Sequence, residues 1–336
     1  MLALADHVKN GFFLFLILAC GQLFAQSFEL EQIEQIWRPR IRLDTKYTSD
    51  SKFSDTTGKY NALDASGIYT FPIKSKFAAS LQLDLSSLKL KDMAKNSVQV
   101  KAYQVMGSIR AGSRQISLGF DSISQRRLYY ASASVFGLKL TRKYRILFYS
   151  LNAGLSEEDK TMNRLTPRFT GILGQFHLKG IRKNYYYGIM TTYSDGVFVP
   201  VPFFGGMVPF GNNCSFNFTF PAQAYVQYRS GKKTSFSLGA TIDGYRSGIQ
   251  YNNSRLNINY GTANAFVAWK QKLNKTFGFR IETGYCVKQY LNFSDGNRRK
   301  AAYPINPGFY GQISITTLLG KSLFEQVSDG LNSGLF

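Results

Sequence analysis

The stretch FNFTFPAQAYVQYRSGKK at 216–233 decides how this chain is read. Phe216, Phe218, Phe220, Ala222, Ala224, Val226 and Tyr228 fill every second position, with Asn217, Thr219, Gln223, Gln227 and Arg229 between them. A period of two belongs to a strand with one apolar and one polar face. Pro221 removes a ladder donor, yet the alternation runs through it in phase. That predicts one long strand kinked at the proline, the other reading being a turn between two short strands. Ser230, Gly231, Lys232 and Lys233 then make a tight basic turn.

The same alternation extends to both sides. PRIRLDTKY sets Ile41, Leu43, Thr45 and Tyr47 against Arg40, Arg42, Asp44 and Lys46, and ALDASGIYTFPI alternates through Leu63, Ala65, Gly67, Tyr69 and Phe71. FAASLQLDLSS sets Phe77, Ala79, Leu81, Leu83 and Leu85 against Ser80, Gln82, Asp84 and Ser86. Further strands are expected near 98–111, 115–123, 132–142, 144–155, 168–179, 184–195, 214–229, 234–246, 255–270, 276–291 and 307–319. The connections sort into two classes. KSK at 74–76, RKY at 142–144, KGIRKN at 179–184, SGKK at 230–233 and KLNK at 272–275 are short and basic. The stretches 50–60, 86–97, 156–166, 247–254 and 292–306 are longer and polar. Short turns alternating with long loops describe an antiparallel meander that crosses a bilayer repeatedly.

A secreted β-sandwich also has alternating strands, but its strands average about 5–6 residues. Many segments here run past ten, near the ~9–11 that a tilted membrane strand requires. Full charges in mid-segment suit a wet lumen, and a β-chain in a bilayer must close on itself because every backbone group needs a partner. The expectation is all-β, an antiparallel up-and-down transmembrane barrel of about 14 strands, within a range of 12–16. The Pro- and Gly-rich VPVPFFGGMVPFGNN at 199–213 is too apolar for an exposed loop. It is expected to fold over or into the barrel mouth, or to add a hairpin at 198–209.

The bulk numbers agree with that class. The chain has 336 residues, 15% of them aromatic, with 28 Phe and 21 Tyr that suit strands and interfacial girdles. Its formal charge of +21 points to anionic lipid, an anionic solute or nucleic acid. Lys9 followed by GFFLFLILACGQLFA, with Ala25 before Gln26, is the layout of a secretory signal. Export removes nucleic acid as a partner. A competing reading makes Cys20 in ILAC a lipidated residue, although Leu18 fits that site poorly. The domains expected are a signal peptide at 1–25, a periplasmic segment at 26–38, the barrel at 39–320 and a periplasmic tail at 321–336. Both termini then lie on the periplasmic side of the outer membrane.

The leader ending in FAQ, the meander and the segment PFFGGMVPFGNNCSFNFTFPAQAYVQY at 202–228 resemble Bacteroidota outer-membrane β-barrel proteins, a group of unassigned function. The resemblance spans nearly the whole mature chain and implies an outer-membrane barrel; it carries no substrate. The tail SLFEQVSDGLNSGLF departs from barrels that end on their last strand, and a short helix capped by Ser322 fits it.

Catalytic and metal signals are thin, and neither an enzyme nor a cofactor is expected. His177 is the one histidine left after leader cleavage, so a Ser–His hydrolase has a single base to use. It is read as a rim or lumen residue. LLGKS at 318–322 lacks the upstream glycine of a phosphate loop, with Ile315 in its place. Cys214 and Cys286 fall on opposite faces, so no disulfide is expected between them.

The lumen carries the remaining chemistry. Inward positions are expected at Arg40, Arg42, Asp44, Lys46, Gln82, Asp84, Arg255, Asn257, Arg280 and Glu282. Rings of basic side chains favour anions in a pore, and the same residues paired with one another would close it. Lipid-facing positions are Phe216, Phe218, Phe220, Val226 and Tyr228. Arg126, Arg127, Arg298, Arg299 and Lys300 fall in expected external loops, where they would meet the phosphates of surface glycolipid. Two functions stay open: a pore or gated conduit for a small anionic or amphipathic solute, and a non-transporting surface or scaffold barrel that engages glycolipid or envelope partners.

Overall fold

The computed structural model describes residues 38–320 apart from 82–97, 121–124, 142–144, 160, 162–164, 179–182, 195–196, 252–253 and 296–297. Its strands are β1 (Arg40–Lys52), β2 (Lys59–Leu81), β3 (Val98–Leu118), β4 (Gln125–Thr141) and β5 (Arg145–Glu158). There follow β6 (Arg168–Leu178), β7 (Asn184–Ser194), β8 (Val197–Phe210), β9 (Cys214–Phe220) and β10 (Gln223–Ser230). The last are β11 (Thr234–Tyr251), β12 (Ser254–Lys272), β13 (Phe277–Asp295), β14 (Arg298–Ile305) and β15 (Gly308–Leu318). From β1 to β14 each pairs antiparallel with its chain neighbours, and β15 pairs with β13 and with β1, so the sheet closes. β14 and β15 share one place in the wall: β14 pairs with Gln289–Asp295 of β13 and β15 with Phe277–Cys286. The result is a closed barrel of fourteen positions. Among the described residues no helix is long and apolar enough to cross a membrane.

The expected number of strands is met, but by a different partition. Lys74, Ser75 and Lys76 do not turn; they continue β2 past a bulge at Pro72–Lys74 and pair with Val105, Gln104 and Tyr103. β3 likewise runs unbroken through 111–115. With those two turns gone, β2 ends at Leu81 and β3 starts at Val98 at the end of the barrel where β1 begins and β15 ends. Two new strands restore the total. Residues 197–210, expected in the mouth, form the wall strand β8. The stretch that opened the sequence reading is two strands, because Phe220–Pro221 is a cis peptide and Pro221–Ala222 turn the chain. Alternation stays in phase because Phe218 pairs with Ala224 and Phe216 with Val226 across the turn, so both arms share one outer face. The leader, Gln82, Asp84 and the tail lie outside the described residues.

Through the lower wall side chains alternate between a sheltered inside and an apolar outside. On the outer face Ile41, Leu43 and Tyr47 of β1, Leu173 of β6, Ile189 of β7, Leu238 of β11 and Ile313 of β15 are all exposed. In water such a surface would drive association; it is the pattern of a wall that faces lipid.

The wall is not of even height. β11, β12 and β13 are 18, 19 and 19 residues long, whereas β9 and β10 are 7 and 8. Above the short strands β11 loses its β10 partner after Thr241 and Ile242. Higher up it crosses to β5, where Gly248 pairs in parallel with Glu157. The upper barrel therefore closes into a narrower tube that leaves out β6–β10. Phe53, Tyr60, Ile116, Leu118, Leu128, Ile249, Ile258, Leu291 and Phe293 pack its interior. Each such side chain, fully buried, contributes about 1.5–3 kcal/mol relative to exposure, so this end is a packed lid.

Candidate functional site

Beneath the lid the lumen has two unlike sides. On one, β1–β3, β10–β13 and β15 line a cavity of about 150 Å³ with charge. Its cations are Arg42, Lys46, Arg110, Arg114 and Arg280, and its anions are Asp44, Asp64, Asp243 and Glu282, so the lining carries one more positive charge than negative. The carboxylates are matched within the wall: Arg42 Nε to Asp44 at 2.7 Å, Lys46 Nζ to Asp243 at 2.6 Å, Arg114 to Asp64 and Arg280 to Glu282. Tyrosines support them. Tyr130 donates to Asp64 at 2.6 Å and Tyr310 to Glu282 at 2.7 Å. The Arg114 guanidinium lies 3.9 Å from the centre of the Tyr245 ring. Arg110, beside Tyr130, donates to Ser66 Oγ at 3.5 Å.

On the other side, β4–β8 present an apolar wall. Leu138, Ile146, Phe148 and Phe203 are buried and packed together, with Ile172, Phe176, Tyr186 and Met190 against them. The latter four point inward, opposite exposed Leu173, Tyr185, Tyr187 and Ile189, yet remain half-buried. These side chains are only partly covered, so the apolar wall keeps some accessible inner surface. A charged cavity and a partly covered apolar wall across one lumen can hold a molecule with both kinds of surface.

The lid is secured to β5 by a polar seam. Arg126, 2% exposed, donates to Glu158 at 2.8 and 3.0 Å and to the Gln250 carbonyl at 2.9 Å. Glu158 also accepts from the Gln250 amide at 2.9 Å. Glu157 accepts from Arg255 at 2.7 Å and from Thr161 Oγ1 at 2.9 Å. Gly248 allows this approach, since a Cβ there would overlap the Glu157 carboxylate.

The residues singled out in the sequence are distributed as follows. Arg40, Arg42, Asp44, Lys46, Arg280 and Glu282 are on the inner face, with Arg40 and Arg42 buried. Arg255 and Asn257 are in the upper part of β12, on the face that lower down carries exposed Val267 and Trp269. Arg255 thus serves the seam rather than the cavity. Phe216, Phe218, Phe220, Val226 and Tyr228 stand on the outer face, with Phe220 stacked on Phe204 at 5.3 Å. Arg126 is in the seam, and Arg127 next to it is exposed. Arg298, Arg299 and Lys300 open β14, their side chains outside the described set. His177 is on the outer face near the terminal end, stacked on Tyr185 at 4.6 Å. Cys214 and Cys286 are both free thiols, and among the described residues no group of metal-ligating side chains gathers.

Sequence reasoning missed Asp64, Arg110, Arg114 and Asp243. The first two were legible, because Asp64 and Arg110 hold polar places opposite Leu63 and Ile109. Arg114 was lost to the expected break between 111 and 115. Asp243 lies where β11 leaves its neighbour, and only the pairing reveals that.

No protein family and no curated protein matches the chain. Solved barrels do. An outer membrane channel from Pseudomonas putida F1 is 8% identical with a TM-score of 0.42, covering 84% of this chain and 96% of its own. The P. putida toluene transporter TodX is 8% identical with a TM-score of 0.26, covering 84% and 90%. The transport unit of the autotransporter AIDA-I from Escherichia coli is 10% identical with a TM-score of 0.32, covering 89% and 96%. At these values the likeness is one of general barrel form, and what those proteins carry says nothing about this chain.

Proposed function

We propose that this chain is an outer-membrane barrel acting as a gated conduit for a small amphipathic solute with an anionic head, with both termini on the periplasmic side. The observation that carries this reading is the two-sided lumen. A charged cavity with one excess cation faces an apolar wall some of whose inward side chains are only partly covered. A simple ion pore has no use for Phe176 and Met190 on its inner surface, and a structural core would cover them. The packed lid and its seam supply the gate, so the resting protein conducts little.

The sealed lid and the matched carboxylates also support a second reading, a non-transporting scaffold barrel. Binding separates the two. Wild-type protein in nanodiscs is titrated with decanoate, with empty discs subtracted. A conduit of this kind binds it, and Phe203→Asp and Arg114→Ala each weaken binding; for Arg114→Ala the loss is about tenfold, one charge-assisted contact. Binding no greater than that of empty discs overturns the conduit and leaves the scaffold.

A further inference from the structure

The wall has a gap at the height of its apolar band. β8 pairs with β9 only from Phe204 to Phe210, and with β7 from Val197 to Met207. Above Phe204, therefore, β8 has one neighbour among the described strands. Across the gap β11 has no β10 partner beyond Ile242. Higher up, Arg168 of β6 donates to the Arg246 carbonyl, Ser156 of β5 meets Ser247 at 3.1 Å and Gly248 pairs with Glu157, so the unpaired stretch is short. Between these edges stands the Pro221–Ala222 turn of the short β9–β10 hairpin. The apolar outer face continues past that level, with Phe198 of β8 62% exposed.

Open edges are costly in hydrocarbon because their backbone groups lack partners. The sequence of β8 reduces that cost. Alternate residues of a strand direct their backbone groups to opposite neighbours. Pro200 and Pro202 share one phase and Pro209 has the other. Only one assignment spares all three a lost ladder bond: Pro200 and Pro202 face the missing β9, and Pro209 faces β7 beyond Met207, where β7 has ended. The open edge is thus a place where two of the donors have been removed, as in edge strands generally.

The gap also lies where the two sides of the lumen meet. Its sill, Ala222, adjoins the Gln223–Thr241 pair, and both of those residues line the charged cavity. Its β8 jamb carries inward Val201 and Phe203, the upper end of the apolar wall; like Ala222 they are buried, so at rest side chains fill the opening between the backbones.

We infer that this gap is a lateral portal through which an amphiphile dissolved in the bilayer, with one flexible apolar tail and an anionic head, reaches the lumen. The inference rests on the conduit reading. The tail slides past Phe203 along β4–β8, and the head turns toward the cavity beside Gln223. The lid then need not open for loading, which accounts for a mouth packed so completely.

The test uses full-length protein in phosphatidylcholine vesicles containing a diazirine-bearing palmitate, irradiated and mapped by peptide mass spectrometry. Adducts on outward Leu151 and Phe204 report the bilayer itself. Adducts on inward Phe203, Met190 and Phe176 are expected in the wild type. In Ala222→Trp they should fall about tenfold, equivalent to ~1.4 kcal/mol of lost occupancy, with Leu151 and Phe204 labelled as before. Val201→Trp, on the opposite jamb, serves the same purpose if the first variant lacks the heat-modifiable migration of a folded barrel. Inward label undiminished in a folded variant overturns the portal and leaves an amphiphile-binding lumen. Absence of inward label in the wild type overturns both.

Discussion

The lower and upper parts of β11 and β12 are continuous strands with opposite faces. Below Asp243, Phe236 and Leu238 point out and Ser235, Ser237 and Thr241 point in; above it, Tyr245 and Ile249 point in while Arg246 and Gln250 point out. β12 does the same, from Val267 and Trp269 outward to Ile258 and Tyr260 inward. The register does not slip at the change, since the two strands pair without a break from Thr234–Gln271 to Tyr251–Ser254. What changes is the surroundings. Lower down, the outside is apolar and the inside a wet, charged cavity; higher up, the inside is a packed core. Alternation reports the contrast between two faces, and where both environments exchange, the pattern inverts on an unaltered backbone.

The most damaging way to break that contrast is to give the upper inner face the chemistry of the lower one. Ile258 is fully buried in the lid. Ile258→Asp places a carboxylate there without a partner, and the lid should open at a cost of several kcal/mol, at least the ~3–5 of a broken buried pair. The barrel below should survive. Expected is retained heat-modifiable migration together with steady conductance in a planar bilayer, where the wild type should show none.

Next in size is the seam. Glu158→Ala strands Arg126, whose side chain is 1% exposed, and should cost about 3–5 kcal/mol locally. Limited proteolysis should then cut in the 159–167 connection, while cleavage elsewhere is unchanged. Equal sensitivity of the wild type would show that the seam does not hold the lid.

The lower outer face is tested by Leu238→Lys, since Leu238 is 63% exposed. A lysine toward the bilayer midplane should destabilise the folded barrel by about 2–4 kcal/mol, measured by urea unfolding in vesicles. In a detergent whose headgroups reach that depth the penalty should shrink. The same substitution at Gln250, outward but above the band, should be silent.

The inversion also explains what could and could not be read from the sequence. Within the bilayer band the reading was direct: Arg42, Asp44 and Lys46 alternate with Leu43, Thr45 and Tyr47, and no competing signal intervenes. At the upper ends of β11 and β13, to Tyr251 and Asp295, the same alternation continues as strand, but its polar face is now outside, so the segments 247–254 and 292–306 resembled loops. Arg255 and Asn257 were assigned inward by carrying upward the lower rule that polar side chains face in, whereas the unbroken phase of β12 puts them out with Val267 and Trp269. In β13 the phase is also shifted by a bulge at Val287, where Ala263 pairs with Lys288 and Asn264 with Cys286. Pro221 misled for another reason, since a turn between two arms of one apolar face leaves the period intact. The prolines of β8 looked incompatible with a wall. They become intelligible only once the missing neighbours of β8 are known, which is information that no single segment holds.

The smallest expected effect tests how far the lid depends on polar fit rather than on apolar packing. Tyr60 and Tyr260 stack at 5.0 Å between ring centres, and Tyr245 and Tyr260 at 5.2 Å. The Tyr260 hydroxyl donates to Gln289 Oε1 at 2.6 Å. Tyr260→Phe keeps the stack and removes that one bond. Gln289 keeps its own donation to the Asn306 carbonyl at 3.0 Å, so its amide is not left wholly unpartnered. The loss should be about 0.5–1.5 kcal/mol, seen as faster hydrogen exchange in the upper parts of β12 and β13 with the lower strands unaffected. If exchange instead rises along the whole of both strands, lid and barrel unfold as one cooperative unit. The lid would then be a stabilising extension of the wall rather than a separable gate, and the Ile258→Asp barrel should fail to fold at all.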